Sequence, residues 1–359
     1  MISIYEISDS KKWNEIVKSF TNYDIYYLSE YVKAFQIHGD GEPLLFYSEN
    51  SKTRAINVIM KRDIALDGNF EGKIPLNSYF DITTPYGYGG FLIEGEITKD
   101  SLKMLDEEYK EFCKSEGIVS EFVRFHPVLN NCEILEDIYN ISKLGKTVTI
   151  ELTSQEEVWD KLVAKNRNVI RKARKAGVEI FWGRSLELIE IFIEMYNATM
   201  DKDNATDYYY FKKDFYNSVL EDLKYNSMIF YAVYEKKIIS MSIILFSNDQ
   251  MHYHLSASDR NYQHLAPTNY LLFEAACWGE RNGLKTLHLG GGLGSQEDSL
   301  YKFKKAFNKD SKTTFSIGRK IFDTEIYMKL VKMTEHKELN YNNAAFFPKY
   351  RISSVISKK

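Results

Sequence analysis

The order of secondary-structure patterns repeats once along this chain of 359 residues, and that repeat limits the possible folds. In the first half, the strand-like runs EPLLFYSE and TRAINVIMKRD precede a glycine-rich loop, a helical stretch over 99–116 and the strand SEFVRFHPV. In the second half, YEKKIISMSIILFSNDQMHYHLSASD predicts two strands joined at a tight turn. A helix from Pro267 to near Gly283 and the strand KTLHLGGG follow it. The sequence therefore predicts two copies of one α/β unit.

The boundary between the two copies is predicted near residues 141–150. There the strand KTVTIELTS leads into a basic helix, QEEVWDKLVAKNRNVIRKARKAG, which Gly177 ends. Thr153 or Ser154 is expected to cap this helix. The predicted domains are 1–145 and 146–359, and the second carries a C-terminal extension. No low-complexity linker separates them.

Bulk composition excludes several classes of protein. A formal net charge of -3 argues against a protein coated in basic surface, although a local patch could still bind an anion. The three cysteines lack the spacing of metal ligands and predict a reducing compartment. The start, MISIYEISDSKKW, lacks the apolar core of a signal peptide, and no apolar run is long enough to span a membrane. We expect a soluble cytoplasmic protein.

The glycine run LHLGGGLGSQEDSL is not a nucleotide phosphate loop of a standard kind. It fails both the G-x-x-x-x-G-K-[ST] pattern and the G-x-G-x-x-G pattern. Two interpretations remain: a tight corner between a strand and a helix, or a backbone wall of Gly291 and Gly292 against which a substrate lies. Ser295 is the predicted cap of the following helix, with Asp298 three residues later.

That helix carries the lysine of most interest. Leu300, Phe303 and Phe307 form its predicted apolar stripe, and Lys304 lies about 80° from the centre of the stripe. A lysine on the flank of a buried face, beside a glycine corner, could reach into a cleft. Alternatively, its stem only covers apolar surface while its ammonium stays in water.

Four stretches in succession resemble the Fem family, the aminoacyltransferases that build peptidoglycan interpeptide bridges, and the wider set of Fem-like acetyltransferase-fold proteins. They are KNRNVIRKARKAGVEI, MYNATMDKDNATDYYYF, LAPTNYLLFEAACWGERNGLKTLHLGGG and LYKFKK. The similarity in order and spacing covers roughly residues 145–320, and the stretch TPYGYGG in the first half is a further point of similarity. The resemblance implies an α/β fold of tandem GNAT-like domains, each with a mixed central sheet flanked by helices. It also implies acyl transfer to an amine.

The resemblance implies site residues as well. The family's Phe-Lys pair falls on Phe303 and Lys304, and the family lysine lies at the reaction cleft. A fixed cation there could neutralise an oxyanion or hold the donor. Relatives that use acetyl-CoA hold its pyrophosphate on a loop of the form Arg-x-x-Gly-x-Gly. The corresponding stretch, residues 260–266, has no glycine, which disfavours CoA in the second domain. The expected donor is an aminoacyl-tRNA or an acyl-CoA.

Other candidates have ordinary structural alternatives. Arg167 and Arg171 lie on the basic helix; the simpler interpretation is a solvated basic face, and the functional one is that they hold a substrate phosphate. Asp81 is a possible base for the acceptor amine. Four tyrosines are predicted to contact substrate: Tyr86, Tyr88, Tyr209 and Tyr253. His252 and His254 should share one face of a strand, but two histidines make a weak metal site, so no metal is predicted.

The sequence thus predicts a two-domain acyltransferase that acts on an amine of a cell-envelope precursor, either a peptidoglycan peptide or an amino sugar. Its predicted partners are a nucleotide- or lipid-linked precursor and the acceptor end of a tRNA, with no DNA and no tightly bound cofactor. One rival is a CoA-dependent N-acetyltransferase acting on a polysaccharide sugar or a small amine. A second rival is a non-catalytic binding module on the same fold.

Overall fold

A computed structural model describes residues 2–334 and 346–355. The chain divides into two compact units. The first comprises Met1–Thr21, Tyr26–Lys143 and Ser316–Lys359, and the second comprises Asn22–Ile25 and Leu144–Phe315.

The first unit is built on an eight-stranded sheet. Its strands are β1 Ile2–Tyr5, β2 Glu42–Glu49, β3 Thr53–Asp63, β4 Phe80–Thr83, β5 Leu92–Gly95, β6 Ile118–Arg124, β7 Asn140–Lys146 and β14 Thr314–Ile321. Their order is β1-β2-β3-β4-β6-β14-β7, with β5 paired to β3. Strand β4 runs parallel to β6, whereas β1, β2 and β3 pair antiparallel. The helices are α1 Ser10–Ser19, α2 Ser29–His38, α3 Lys99–Ser115 and α10 Thr324–Thr334.

The second unit is built on a six-stranded sheet. Its strands are β8 Val148–Glu151, β9 Glu179–Gly183, β10 Ser227–Tyr234, β11 Lys237–Ser247, β12 Gln250–Ser258 and β13 Thr286–Gly290. Their order is β8-β13-β12-β11-β10-β9, and β12 runs parallel to β13. The helices are α4 Gln155–Lys161, α5 Ala164–Lys175, α6 Leu186–Lys202, α7 Lys213–Glu221, α8 Pro267–Arg281 and α9 Ser299–Lys305.

The two units share one topology. In each, four antiparallel strands lead to a helix, α3 or α8, and then to a strand parallel to the fourth, β6 or β13. A further antiparallel strand, β14 or β8, completes each arrangement. The mixed sheets and the duplication inferred from the repeated sequence order are confirmed.

The C-terminal part of the chain differs from its predicted place. The sequence grouped residues 146–359, yet β14 pairs with β6 of the first sheet, and Ser316–Lys359 cluster with the first unit. Lys320 stands directly opposite Glu121, and its ammonium is hydrogen-bonded to Asp106. These long-range pairings decide which sheet the strand joins, and no local pattern encodes them. Part of the predicted extension, residues 335–345 and 356–359, lies outside the described residues.

Helix boundaries follow the local chemistry. Ser154 caps α4 by accepting a hydrogen bond from the backbone N–H of Glu157, and Pro267 occupies the first turn of α8. The basic helix predicted as one piece is two, because the chain is extended at Leu162 and Val163. Helix α8 packs on the second sheet through Leu271, Leu272 and neighbouring apolar residues. Among the described residues, every helix is too short or too polar to cross a bilayer.

Candidate active site

The parallel strands of the second unit separate along their length. Strand β12 pairs with β13 only at Gln250–Thr286, Met251–Leu287 and His252–His288. Beyond His252, β12 continues to Ser258, while β13 ends at Gly290. The pairing of β11 with β12 is also irregular just after this point, between Ile243 and Ile244. These features open a fork in the sheet, and the glycine run follows the shorter strand.

The glycine run forms the corner between strand β13 and helix α9, and its backbone geometry requires glycine at two positions. Gly290 has a φ of 76°, in the left-handed region that favours glycine. A side chain on Gly292 would overlap the carbonyl oxygen of Gln296 and the carboxylate of Asp298. Asp298, rather than the predicted Ser295, caps α9 by accepting from the backbone N–H of Tyr301 at 2.8 Å. Asp298 also accepts from the N–H of Leu293 at 3.2 Å, which ties the corner to the helix.

Lys304 lies inside this corner. Its side chain is 9% exposed, and its Nζ donates a hydrogen bond of 2.7 Å to the carbonyl oxygen of Gly291. The predicted apolar stripe is confirmed in part, because Phe307 is fully buried whereas Leu300 and Phe303 are half-buried. Lys304, predicted on the flank of the stripe, is itself buried together with Tyr301. Phe303 packs against the core of the second unit beside Phe307, with the ring centroids 5.5 Å apart.

Burial also changes the electrostatics of Lys304. Removal from water lowers the pKa of its ammonium to about 8, and the nearby carboxylate of Asp298 opposes that shift. At pH 7, a group with this pKa is still about nine-tenths protonated. The corner therefore holds a nearly dry cation beside a backbone carbonyl.

The two basic-helix candidates already have partners in the protein. Arg167 donates to the carbonyl oxygens of Leu162 and Asp160 at 3.1 and 3.3 Å, so it satisfies the C-terminal end of α4. Arg171 is exposed, and its guanidinium lies 5.0 Å from the ring centroid of Trp159. Of this pair, Arg171 is the more accessible to a ligand.

The remaining candidates fall in both units. Tyr253 is half-buried and packs against the same core as Phe303, whereas Tyr209 lies on a short turn and is 37% exposed. Tyr86 stacks on Phe35 in the first unit, with the ring centroids 5.3 Å apart. Burial raises the pKa of Tyr88, also in the first unit, to about 12.

Asp81 occupies a buried ion-pair network of the first unit. Its oxygens accept from Arg62 Nε at 2.8 Å and from Arg351 Nε at 2.6 Å. Burial opposes ionisation, but the two guanidinium groups outweigh it and hold the pKa of Asp81 below its ordinary value. A carboxylate with this environment is a weak base, so the geometry favours a structural role.

Sequence reasoning missed a row of polar side chains at the fork. His252 Nε2 lies 2.6 Å from Asp24 Oδ2, and His288 Nδ1 lies 2.9 Å from Thr149 Oγ1. His254 is the extra residue where β12 bulges, so the strict alternation predicted for His252 and His254 is interrupted there. Burial lowers the pKa of His254 to about 3, and the charge of His252 adds to the effect. The position of His288 just before the glycines was the available signal, whereas nothing marked Asp24.

Residues 260–266, which the resemblance aligns with the pyrophosphate loop of acetyl-CoA-dependent relatives, form backbone hydrogen bonds among themselves. Residues Arg260–Leu265 form a short 3₁₀ helix, and the N–H of Ala266 donates to the carbonyl of Gln263 at 2.9 Å. The N–H of Asn261 is taken by the side chain of Asp259, and Pro267 has no N–H. The N–H groups of Asn261 and Ala266 are therefore already bonded within this stretch and are not available to a pyrophosphate.

Comparison with known proteins agrees with this architecture. Residues 161–305 match the family of the acetyltransferase (GNAT) domain, a segment that contains the fork, the glycine corner and Lys304. The structure of FemX has a TM-score of 0.66 and 15% identity, over 91% of this chain and 99% of FemX. A conserved protein of unknown function from Bacteroides thetaiotaomicron has a TM-score of 0.56 and 11% identity, over 89% of this chain and all of its own. No curated protein sequence matches the chain. The resemblance found in the sequence is confirmed at the level of the fold.

Proposed function

We propose that this chain, a protein of Fem-like tandem GNAT fold, transfers an acyl or aminoacyl group to an amine of a cell-envelope precursor. The family match and the fold support an acyltransferase. The observation that carries the proposal is Lys304, a buried ammonium held at a glycine corner beside the strand fork. The acceptor, a peptidoglycan peptide or an amino sugar, is proposed from the resemblance to Fem proteins.

Lys304 is suited to stabilise the charge that acyl transfer creates. When an amine attacks an acyl carbon, the carbonyl oxygen becomes an oxyanion, and a fixed cation in a dry site lowers the energy of that state. The contact with Gly291 holds the ammonium in place before reaction, so little reorganisation is needed. Because its pKa is about 8, this assistance should fade as the pH rises above 8.

The thiols of this chain are poorly suited to act as nucleophiles, which favours direct attack by the amine on the acyl carbon. Cys113, Cys132 and Cys277 are all buried. Burial raises the pKa of Cys277 to about 12, and the pKa of Cys113 is also raised by burial. Neither of these two thiols is activated to form an acyl-enzyme. In the proposed reaction, the amine first forms the C–N bond, which places the negative charge on the carbonyl oxygen. Collapse of this oxyanion then breaks the bond from the acyl carbon to the leaving oxygen or sulfur, and the proton lost by the amine ends on that leaving group.

The donor is proposed to be an aminoacyl ester rather than acyl-CoA. The self-bonded turn of Arg260–Leu265 and the proline after it support this choice, because CoA binding in this fold needs free amides there. The second candidate is a CoA-dependent N-acetyltransferase, which the match to acetyltransferase domains favours. The third, a binding module without catalysis, would show no transfer with either donor.

The test is transfer from aminoacyl-tRNA and from acetyl-CoA to peptidoglycan peptides and amino sugars. Lys304→Met should reduce transfer about a hundredfold or more, the effect of losing an oxyanion donor. Lys305→Met is the matched control, since Lys305 is less buried and donates to the carbonyl of Ser311 at 2.7 Å. Equal, small effects of both substitutions would contradict the role of Lys304.

A further inference from the structure

The second sheet has one open edge. Strand β9, Glu179–Gly183, stands at the end of the six-stranded order and pairs on one side only, with β10. In an antiparallel ladder, alternate residues direct their N–H and C=O groups away from the neighbour, so β9 presents backbone groups on its outer side. Within the described part of the chain, no side chain is hydrogen-bonded to the β9 backbone.

The opposite edge of the same sheet is covered. Residues Val148–Ile150 of β8 are buried, and side chains bond its outer backbone. The N–H of Thr149 donates to Ser311 Oγ at 3.0 Å, and Asn308 Nδ2 donates to the carbonyl oxygen of Thr149 at 2.7 Å. Strand β9 has no such cover, and it also lacks a lysine, a proline and a bulge, the usual devices that keep an edge strand single.

Both faces of β9 carry exposed aromatic surface. Phe181 is 42% exposed and Trp182 is 44% exposed, and successive side chains of a strand point to opposite faces. Phe181 stacks on Tyr231 with the ring centroids 5.8 Å apart, and Trp182 lies against Phe230 at 6.0 Å. Each ring therefore packs on β10 along one side and is left open to a further strand on the other.

A second copy of β9 fits this edge. Phe181 is the middle residue of the five, so two antiparallel copies related by a twofold axis can pair with Phe181 opposite itself. This register places Ile180 opposite Trp182 of the second copy, and Glu179 opposite Gly183. Apolar side chains then meet on both faces, and no like charges stand opposite each other.

The exposed area sets the strength of such a pairing. Leu186, just after the strand, is 56% exposed. Together with Phe181 and Trp182, it exposes about 280 Å² per chain, at about 200 Å² for a whole large side chain. With the strand backbone, two copies would bury roughly 800–1,000 Å², which is below the roughly 1,200 Å² of stable interfaces. The area therefore fits a reversible association rather than an obligate dimer.

We infer that β9 is a homodimer interface, at which two copies of this chain pair antiparallel and join their six-stranded sheets into one. This inference goes beyond the proposed acyl transfer and does not depend on it. The fork lies between β12 and β13, and β12 is three strands from β9, or about 14 Å at about 4.8 Å per strand. Pairing of β9 therefore leaves the fork uncovered.

Sedimentation velocity of the full chain tests the association. The chain should be monomeric near about 1 μM and increasingly dimeric toward about 200 μM, with a Kd of about 10–100 μM, as expected for a small interface. Trp182→Lys should abolish the dimer over this range. Ile191→Lys is the matched control, since Ile191 is comparably exposed but lies on α6, and it should leave the dimer unchanged. Thermal melting checks that both variants remain folded.

A cysteine at the centre of the strand tests the register. Phe181→Cys should form a disulfide between two copies in oxidised glutathione, because directly opposite Cα atoms lie about 4.5–5.5 Å apart. Glu179→Cys should not, since it would lie about 14 Å from its counterpart. The native cysteines are buried and do not compete. A chain that stays monomeric throughout would assign this edge to some other strand, and that result would overturn the inference. Equal loss in both lysine variants, or cross-linking from Glu179→Cys alone, would overturn it as well.

Discussion

Replacing Lys304 by Met should make the protein more stable at neutral pH while reducing transfer. Burial lowers the pKa of Lys304 from 10.5 to about 8. At about 1.36 kcal/mol per pKa unit, keeping this ammonium charged in the folded state costs about 3 kcal/mol below pH 8. Met removes that cost but leaves the carbonyl of Gly291 without this donor, a loss of about 1 kcal/mol. The expected net gain at pH 7 is about 2 kcal/mol in the free energy of unfolding.

The sign of the pH dependence gives the sharper test. Between pH 8 and 10.5, the unfolded chain holds a proton on Lys304 that the folded chain has released, so native stability rises with pH in this window. The advantage of Lys304→Met should therefore disappear by about pH 10.5. Urea unfolding of both proteins at pH 7 and pH 10.5 measures the difference. A variant that is less stable at pH 7, or a difference that does not change with pH, would refute the reasoning.

Three further substitutions test the corner and the basic helix. Arg167→Ala should lower the free energy of unfolding by about 1 kcal/mol in urea titrations, because the part-buried carbonyl of Leu162 at the end of α4 loses its donor. Gly292→Ala should disrupt the corner and transfer more than Gly294→Ala, since the added methyl group overlaps neighbouring atoms at Gly292, whereas at Gly294 it meets open space and costs only the strain of a left-handed φ of 55°. Asp298→Asn removes the charge that supports protonation of Lys304, so the alkaline loss of transfer should begin at lower pH in a pH–rate profile.

Local sequence patterns were sufficient for most of the elements and for their order along the chain. The strand pairs, the glycine-ended helices and the recurring succession predicted two similar α/β units, because period, caps and turn residues act over a few positions. The same kind of evidence identified the glycine corner and the lysine behind it. It did not identify the cap of α9, since Ser295 and Asp298 both fit the local pattern and only the backbone geometry selects Asp298.

The candidate site depended more on contacts that are distant in sequence. The sequence offers Asp81 as a candidate base, but in the structure Arg62 and Arg351 are hydrogen-bonded to its two oxygens, and Arg351 lies 270 residues away. The sequence offers Arg167 as a phosphate ligand, but in the structure its guanidinium donates hydrogen bonds to carbonyls at the end of α4. Charge and residue type are local properties, but the availability of a side chain depends on what the fold brings to it.

The sequence by itself determined the duplication, the positions of most helices and strands, and the corner that carries Lys304, because neighbouring residues encode all three. The tertiary structure alone decided that β14 joins the first sheet and that Lys304 is buried with a lowered pKa. Those properties arise from pairings and desolvation between distant segments. A local sequence pattern does not encode these properties, because the burial of a group depends on how the whole chain packs.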